Sequence, residues 1–414
     1  MIVRARLLVP ISAPPIRDGA VAISGNRIKA VGRWRDIAKW FSGKKVDLEE
    51  AVLMPGLVNA HCHLDYTNMA GQFPPPKVFI DWLKVITSTK AGWAVSDYVE
   101  SWRCGAEMLV RTGTTTVGDI EAVPELLPAV WNSTPLRVIS FLEMIGITNR
   151  RSPEALLQGA SQKIAQLRHI RCSAGLSPHA PYSTLPELLQ LSARTARRRQ
   201  WPVCTHVAES SLEYSMFGRG EGAMFDWLKR SGRDMCDCGH GSPVRHLERC
   251  GALHRRLLAA HVNYLGRGDL ARLKQREVSV VHCPRSHSYF GHEQFPLRSM
   301  LRAGVNVCLG TDSLASVLKA RRQSVELNMF EEMRALAERV TSLSPQTILR
   351  MATVNGARAL GLKGRVGEIS PGAFADLIAV PFSAKPSRVY DSLLQHRGKV
   401  RASLIDGRWA VSPE

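Results

Sequence analysis

Leu57-Val58-Asn59-Ala60-His61-Cys62-His63-Leu64-Asp65 is an apolar run that ends in two histidines separated by one residue. Read as a strand, it sends both imidazoles to the same face, because side chains alternate with period two. Pro55-Gly56 immediately upstream breaks the chain and lets the strand start cleanly. An isolated pair of this kind more often sits idle than binds metal. It gains meaning when later strands also end in metal-binding side chains.

Seven further runs have the same apolar character: Thr114 to Asp119, Arg137 to Leu142, Cys172 to Leu176, Pro202 to His206, Leu257 to His261, Val278 to His282, and Val305 to Gly310. Amphipathic helical stretches separate most of them, most clearly Pro186 to Gln200 and Ser324 to Arg339. Such alternation predicts an α/β fold with a parallel sheet, and eight repeats predict a closed (β/α)8 barrel with its active site at the strand carboxyl ends. The two ends of the chain read differently. Asp18 to Gly32 reads as a hairpin with Gly25-Asn26 at its tip, and Ala375 to Val380 and Ala402 to Trp409 read as strands. Neither end has enough strands for a stable sheet alone. Both are therefore expected to form one small β-sandwich domain, from residues 1–54 and 365–414, around a barrel of residues 55–364.

At 414 residues the chain can hold a large domain and a smaller one. Hydrophobic content of 45% and charged content of 22% are ordinary for a soluble protein. No apolar run is long enough for a membrane-spanning helix and the start shows no signal-peptide pattern, so a cytoplasmic protein with no membrane partner is expected. The nine cysteines form no regular framework, which fits a reducing compartment. The net charge of +19 could serve an anionic substrate or a nucleic acid. Basic residues are nevertheless spread along the whole chain, and a solvated basic surface with no nucleic-acid partner is the preferred reading. A homo-oligomer is compatible with the sequence.

The other strand ends carry the chemistry. Thr205-His206-Val207-Ala208-Glu209 closes one strand with a histidine and places a carboxylate three residues on. Further runs end in Ala260-His261, in His282-Cys283-Pro284-Arg285-Ser286 and in Gly310-Thr311-Asp312-Ser313, and another continues into Ser177-Pro178-His179. A packed core would not hold so many imidazoles beside carboxylates. Together with Pro55 to His63 and the tail segments Asn355 to Gly361 and Gly372 to Leu377, this ordered set resembles the amidohydrolase superfamily, in its branch of zinc-dependent deaminases and chlorohydrolases. The likeness covers nearly the full length. It implies the same barrel with a small β-domain built from both ends.

The resemblance implies that His61, His63, His206 and Asp312 bind one divalent metal. Three imidazoles and a carboxylate suit zinc, with iron(II) the other candidate. A zinc ion lowers the pKa of bound water from about 15.7 to about 7. Glu209 would then move a proton to a ring nitrogen of the substrate, with His261 and Asp312 orienting and deprotonating the water. His179 resembles a substrate-contacting histidine. No lysine lies in Ile170 to His179, where dinuclear relatives carry a carboxylated one, so a single metal is expected. The implied reaction is hydrolytic deamination of a purine-like heterocycle or nucleoside derivative. A chlorohydrolase or cyclic-amide hydrolase is the alternative on this scaffold, and a non-catalytic basic binding protein is the alternative of another class.

The substrate is a small molecule. Pro74 to Lys84 resembles the lid segment of this branch, with Phe79 and Trp82 as candidate walls. Where the adenosine-type deaminases carry a ribose-binding glutamate, this chain has Thr87-Ser88-Thr89-Lys90. The lid spacing and the Cys283 to Gly291 loop look more like aminofutalosine deaminases, whose substrate carboxylate Arg285 or another basic residue is expected to meet. His282 is expected to be structural, Cys62 a packed small side chain, and His287 either a substrate contact or a surface residue. Cys236, Cys238, His240 and Cys250 lack a usual zinc spacing and read as a loop with stray thiols.

Overall fold

The computed structural model describes residues 1–148, 150–320 and 324–413. Eight parallel strands lie side by side in chain order: β1 (Leu57–Cys62), β2 (Thr114–Glu121), β3 (Arg137–Met144), β4 (Ser173–Pro178), β5 (Val203–Val207), β6 (Leu257–His261), β7 (Ser279–His282) and β8 (Asn306–Leu309). Each falls within a residue or two of its expected run. Most of the connections carry helices, as parallel strands require. One of these, Pro186–Arg199, starts with proline at its first turn and buries Leu188, Leu189, Ser192, Ala193 and Ala196 along one face. Burying the two leucines contributes about 1.5–3 kcal/mol each. It ends at Gln200, whose φ of 59° is left-handed. The helix expected from Ser324 begins later, at Met329. The Asn328 side chain accepts the Phe330 N–H at 2.9 Å and caps the helix there.

Two apolar layers build the barrel. Val58, Ala60, Ile139, Phe141, Cys204, Leu258, Ala260, Val281 and Cys308 fill the interior, plugged by Leu360 and Phe374. Val203, Val207, Leu257, Ala259, Val280 and Val307 face the surrounding helices. The barrel closes where β8 returns to β1. The Thr311 and Asp312 N–H groups donate to the His61 carbonyl at 3.0 and 3.1 Å, and Cys62 bridges Asp312 in parallel register. Asn59 ties the same seam, with its Nδ2 donating to Thr311 Oγ1 at 2.7 Å and its Oδ1 accepting the Thr311 N–H at 3.1 Å.

The chain ends form one mixed sheet. Ala51–Pro55 pairs antiparallel with Leu377–Pro381, and Ile2–Leu8 continues the sheet on its other side. Ile16–Ser24 and Arg27–Arg33 are the expected hairpin, turning at Gly25-Asn26. Gly56 separates the sheet strand from β1, and a Cβ there would stand 2.1 Å from the Thr115 side chain. A buried ion pair joins the two units. Arg137 at the start of β3 reaches Asp376 at 3.0 Å and Asp406 at 3.3 Å.

The seam makes a specific demand at Gly310. A Cβ at this position would lie 2.6 Å from the His61 carbonyl oxygen and 2.9 Å from the His61 nitrogen. Gly310→Ala is expected to cost about 1–3 kcal/mol of stability in urea unfolding. An unchanged midpoint would mean that the seam yields freely.

Candidate active site

The carboxyl ends of the strands turn their functional side chains inward by three local devices. On β5 alternation suffices, since His206 shares a phase with Cys204, whereas Asp312 lies beyond the end of β8 and turns in through a left-handed backbone. On β1 alternation does not suffice, because Val58 and Ala60 already point inward. A register shift between Asn59 and Cys62 changes the phase, so that His61 and His63 join the interior. On β6, His261 follows the inward Ala260 and adopts a left-handed φ of 70°. Ala208, Val262 and Asp312 also have left-handed backbones, at 51°, 52° and 54°. Such non-glycine conformations cost about 1–3 kcal/mol each and concentrate at functional sites.

His61, His63 and His206 place their ring nitrogens together, and Asp312 meets them. His63 Nε2 and His206 Nε2 lie 3.3 Å apart. Asp312 Oδ1 is 3.7 Å from Nε2 of both His61 and His63. Glu209, His261 and Asp312 form an adjoining group, with His261 Nε2 3.6 Å from Glu209 Oε1. Supporting contacts orient the set. His206 Nδ1 faces the His179 carbonyl at 2.9 Å, which leaves Nε2 for the shared centre. Ser286 and Ser316 hydroxyls donate to Asp312 Oδ2 at 2.6 and 3.2 Å, leaving Oδ1 turned to the histidines. Tyr66 stacks on His63 with centroids 5.1 Å apart.

Burial sets the charges. It pulls His63 and His206 well below the ordinary imidazole value and His261 down to about 3, so all three are neutral near pH 7. It pushes the Glu209 carboxyl well above its ordinary range, with Asp312 and Glu213 adding to the effect. Asp312 goes the other way. Burial opposes its ionisation, but the imidazoles around it, His61 first, hold it well below the usual carboxylate range.

This arrangement fits a divalent cation. His61 Nε2 and His261 Nε2 are buried without hydrogen-bond partners, and two imidazole nitrogens face each other at 3.3 Å. Unpaired buried nitrogens of this kind are costly unless something binds them. Three imidazoles and one ionised carboxylate form the donor set of a site with an open position. His63, His206 and Asp312 line a cleft of about 640 Å³, its open mouth included, walled by Phe79, Trp82, Leu83 and Tyr182, with His61 fully buried beside them.

His179 and Trp82 line this cleft as expected. Arg285 does not. Its Nε pairs with the buried Glu332 at 2.5 Å and its guanidinium also donates to the Glu326 carbonyl at 2.9 Å, so it braces the loop outside the cleft. His282 shares the outward phase of Val280 and stacks on Phe295 at 3.9 Å, a structural role. Cys62 is fully buried. His287 is neither a cleft nor a surface residue. It is buried and bonds Asn263 at 3.1 Å, which in turn donates to the Glu209 carbonyl at 2.8 Å. Among the described residues, Cys236, Cys238, His240 and Cys250 contribute to no metal-sized cluster; Asp237 between them is held by Arg233 at 2.7 and 2.8 Å. Sequence reasoning missed Ser286 as a partner of Asp312, although it lies inside the His282 to Ser286 motif. It also missed Glu143, Lys90 and Tyr66 on the cleft wall.

The chain is similar to several known proteins. The 5-methylthioadenosine/S-adenosylhomocysteine deaminase of Pelotomaculum thermopropionicum is 31% identical over 387 residues, covering 88% of this chain and 81% of the relative. The 5'-deoxyadenosine deaminase of Methanothermobacter thermautotrophicus is 29% identical over 382 residues, covering 89% and 82%. The solved structure of an adenosine deaminase from Xanthomonas campestris with bound zinc superposes with a TM-score of 0.85 at 28% identity, covering 99% of this chain and 92% of that one. The sequence model of the amidohydrolase family matches residues 52–409. With a match of that extent, over the whole barrel and the later strands of the terminal sheet, the chain belongs to the amidohydrolase family.

Proposed function

We propose that this protein is a zinc-dependent hydrolase that deaminates the adenine ring of a nucleoside-type substrate. The observation that carries the reading is the convergence of His61, His63, His206 and Asp312 in a cleft that also holds Glu209 and His261. The names of the relatives support an adenosine-type substrate. Arg285, paired with Glu332, is not free to meet the carboxylate of an aminofutalosine-type substrate.

Zinc held by His61, His63, His206 and Asp312 would supply Lewis-acid charge that brings the pKa of water to about 7. Phe79 and Trp82, whose rings lie 6.1 Å apart, offer an aromatic wall for the purine. Glu209, kept protonated by burial, gives its proton to the ring nitrogen beside the amino-bearing carbon. Asp312, kept ionised, takes a proton from the attacking water as oxygen adds to that carbon. His261 faces Glu209 and orients the water. The proton on Asp312 then passes to the amino group, which leaves as ammonia while the new hydroxyl returns its proton to Glu209. Water and the amino compound are consumed, and the oxo compound and ammonia are formed.

The direct test is ammonia release from adenosine, 5′-deoxyadenosine and adenine by enzyme of measured zinc content. Release that disappears with a chelator and returns with zinc is expected; hydrolysis of a chlorinated or amide ring without ammonia release from any purine would point to the alternative chemistry. Glu209→Gln should keep its zinc and lose about 10²–10⁴-fold in kcat, and unchanged turnover would remove Glu209 from the proton transfer. Burial keeps His63 and His206 neutral as pH falls below the ordinary imidazole value near 6.5. Zinc content after dialysis should therefore be the same at about pH 5.5 as at neutrality. Loss of most of the zinc at the lower pH would contradict that assignment.

A further inference from the structure

One stretch of the cleft wall is not used by the chemistry above. Glu143, next to last in β3, continues the inward face set by Ile139 and Phe141 and so emerges into the cleft. Its side chain is only 7% exposed, yet among the described residues its carboxylate has no hydrogen-bond donor. Lys90 Nζ stands 3.9 Å from one oxygen and His179 Nε2 stands 3.8 Å from the other. Both exceed hydrogen-bond length. A nearly buried carboxylate left in this state calls for a donor from outside the protein.

Its neighbours limit what that donor can be. Lys90, in the last turn of the helix Phe79–Ala91, bonds the Tyr66 hydroxyl and lies 4.7 Å over its ring. Behind it sit the fully buried carboxyls of Asp65, Asp119 and Glu121, and both Asp65 oxygens lack partners. Burial raises all three of these carboxyls towards the neutral form, so the carboxylate left facing Lys90 is that of Glu143, 3.9 Å away. A carboxylate tail on the substrate would be set against Glu143 as well as Lys90, and like charges repel there. A hydroxyl suits the pair better, because it can donate to Glu143 and accept from Lys90 together. The row of His206, His179, Glu143 and Lys90 leads from the metal ligands to this spot through successive contacts.

We propose that Glu143 and Lys90 form a sub-site that reads hydroxyl groups on an uncharged, sugar-type substituent of the heterocycle and disfavours a carboxylate-bearing one. The assignment rests on the purine reading given above, but a binding measurement separates the two. The zinc-loaded full chain would be titrated calorimetrically with inosine, 2′,3′-dideoxyinosine and inosine-5′-carboxylate, none of which carries an amino group to release.

Inosine is expected to bind at least about tenfold more tightly than either analogue. Glu143→Gln and Lys90→Gln should each reduce the preference over dideoxyinosine to within about twofold. The two variants lie on different elements, and circular dichroism checks that each is folded. Equal affinities in the parent protein, no measurable binding of inosine, or a preference that survives in both folded variants would overturn the sub-site. The preference without ammonia release from adenosine would support the sub-site and strike only the hydrolytic reading. Ammonia release without the preference would strike only the sub-site.

Discussion

Two backbone hydrogen bonds to one carbonyl hold the site together. The His61 oxygen accepts from both Thr311 and Asp312, and so the last barrel strand is pinned to the first at the residue that begins the ligand cluster. The seam therefore has two functions. It closes the barrel, removing the exposed strand edges that an open sheet would leave. It also carries the Asp312 carboxylate across to the histidines of β1, at 3.7 Å from each. Asp312 can turn there only through a left-handed backbone, and Gly310 is needed because no side chain fits against His61. Fold and site share one set of contacts, and neither is complete without the other.

Electrostatics follow from this placement. Three imidazoles are driven neutral by burial, one aspartate is held well below the usual carboxylate range, chiefly by His61, and one glutamate is pushed well above that range a few ångströms away. Two carboxyls in one cleft thus differ in protonation because their surroundings differ. Asp312 has imidazoles and serine hydroxyls around it, whereas Glu209 has burial and the nearby Asp312 and Glu213 carboxyls. Divergence of this kind between neighbouring groups is how an acid and a base coexist near neutral pH.

Much of this is legible in the chain. The barrel strands are short apolar runs with turn signals, and ligand-type residues follow at their ends, so pattern and spacing lead to His61, His63, His206, His261 and Asp312. The hairpin at Gly25-Asn26 is equally plain, because those residues suit its turn. What pattern does not reveal is direction. Strict alternation would put Ala60 inside and His61 outside, and only the register shift in β1 reverses this. Arg285 sits in the motif loop and carries the right charge for an anionic substrate, but Glu332, far along the chain, takes it up. Glu143 and Lys90 carry no motif at all. Their proximity comes from the barrel top and the helix over it meeting in space. The late start of the helix at Met329 has a local cause, since Asn328 offers the backbone a cap that a periodicity count does not weigh.

The claim on which everything rests is that side chains from four strand ends surround one cation. Crystals of the zinc-loaded protein measured on either side of the zinc absorption edge would test it directly. The account expects a single anomalous peak per chain, bounded by His61, His63, His206 and Asp312 with Glu209 and His261 beside it. A peak elsewhere, or two peaks within the cleft, would contradict it.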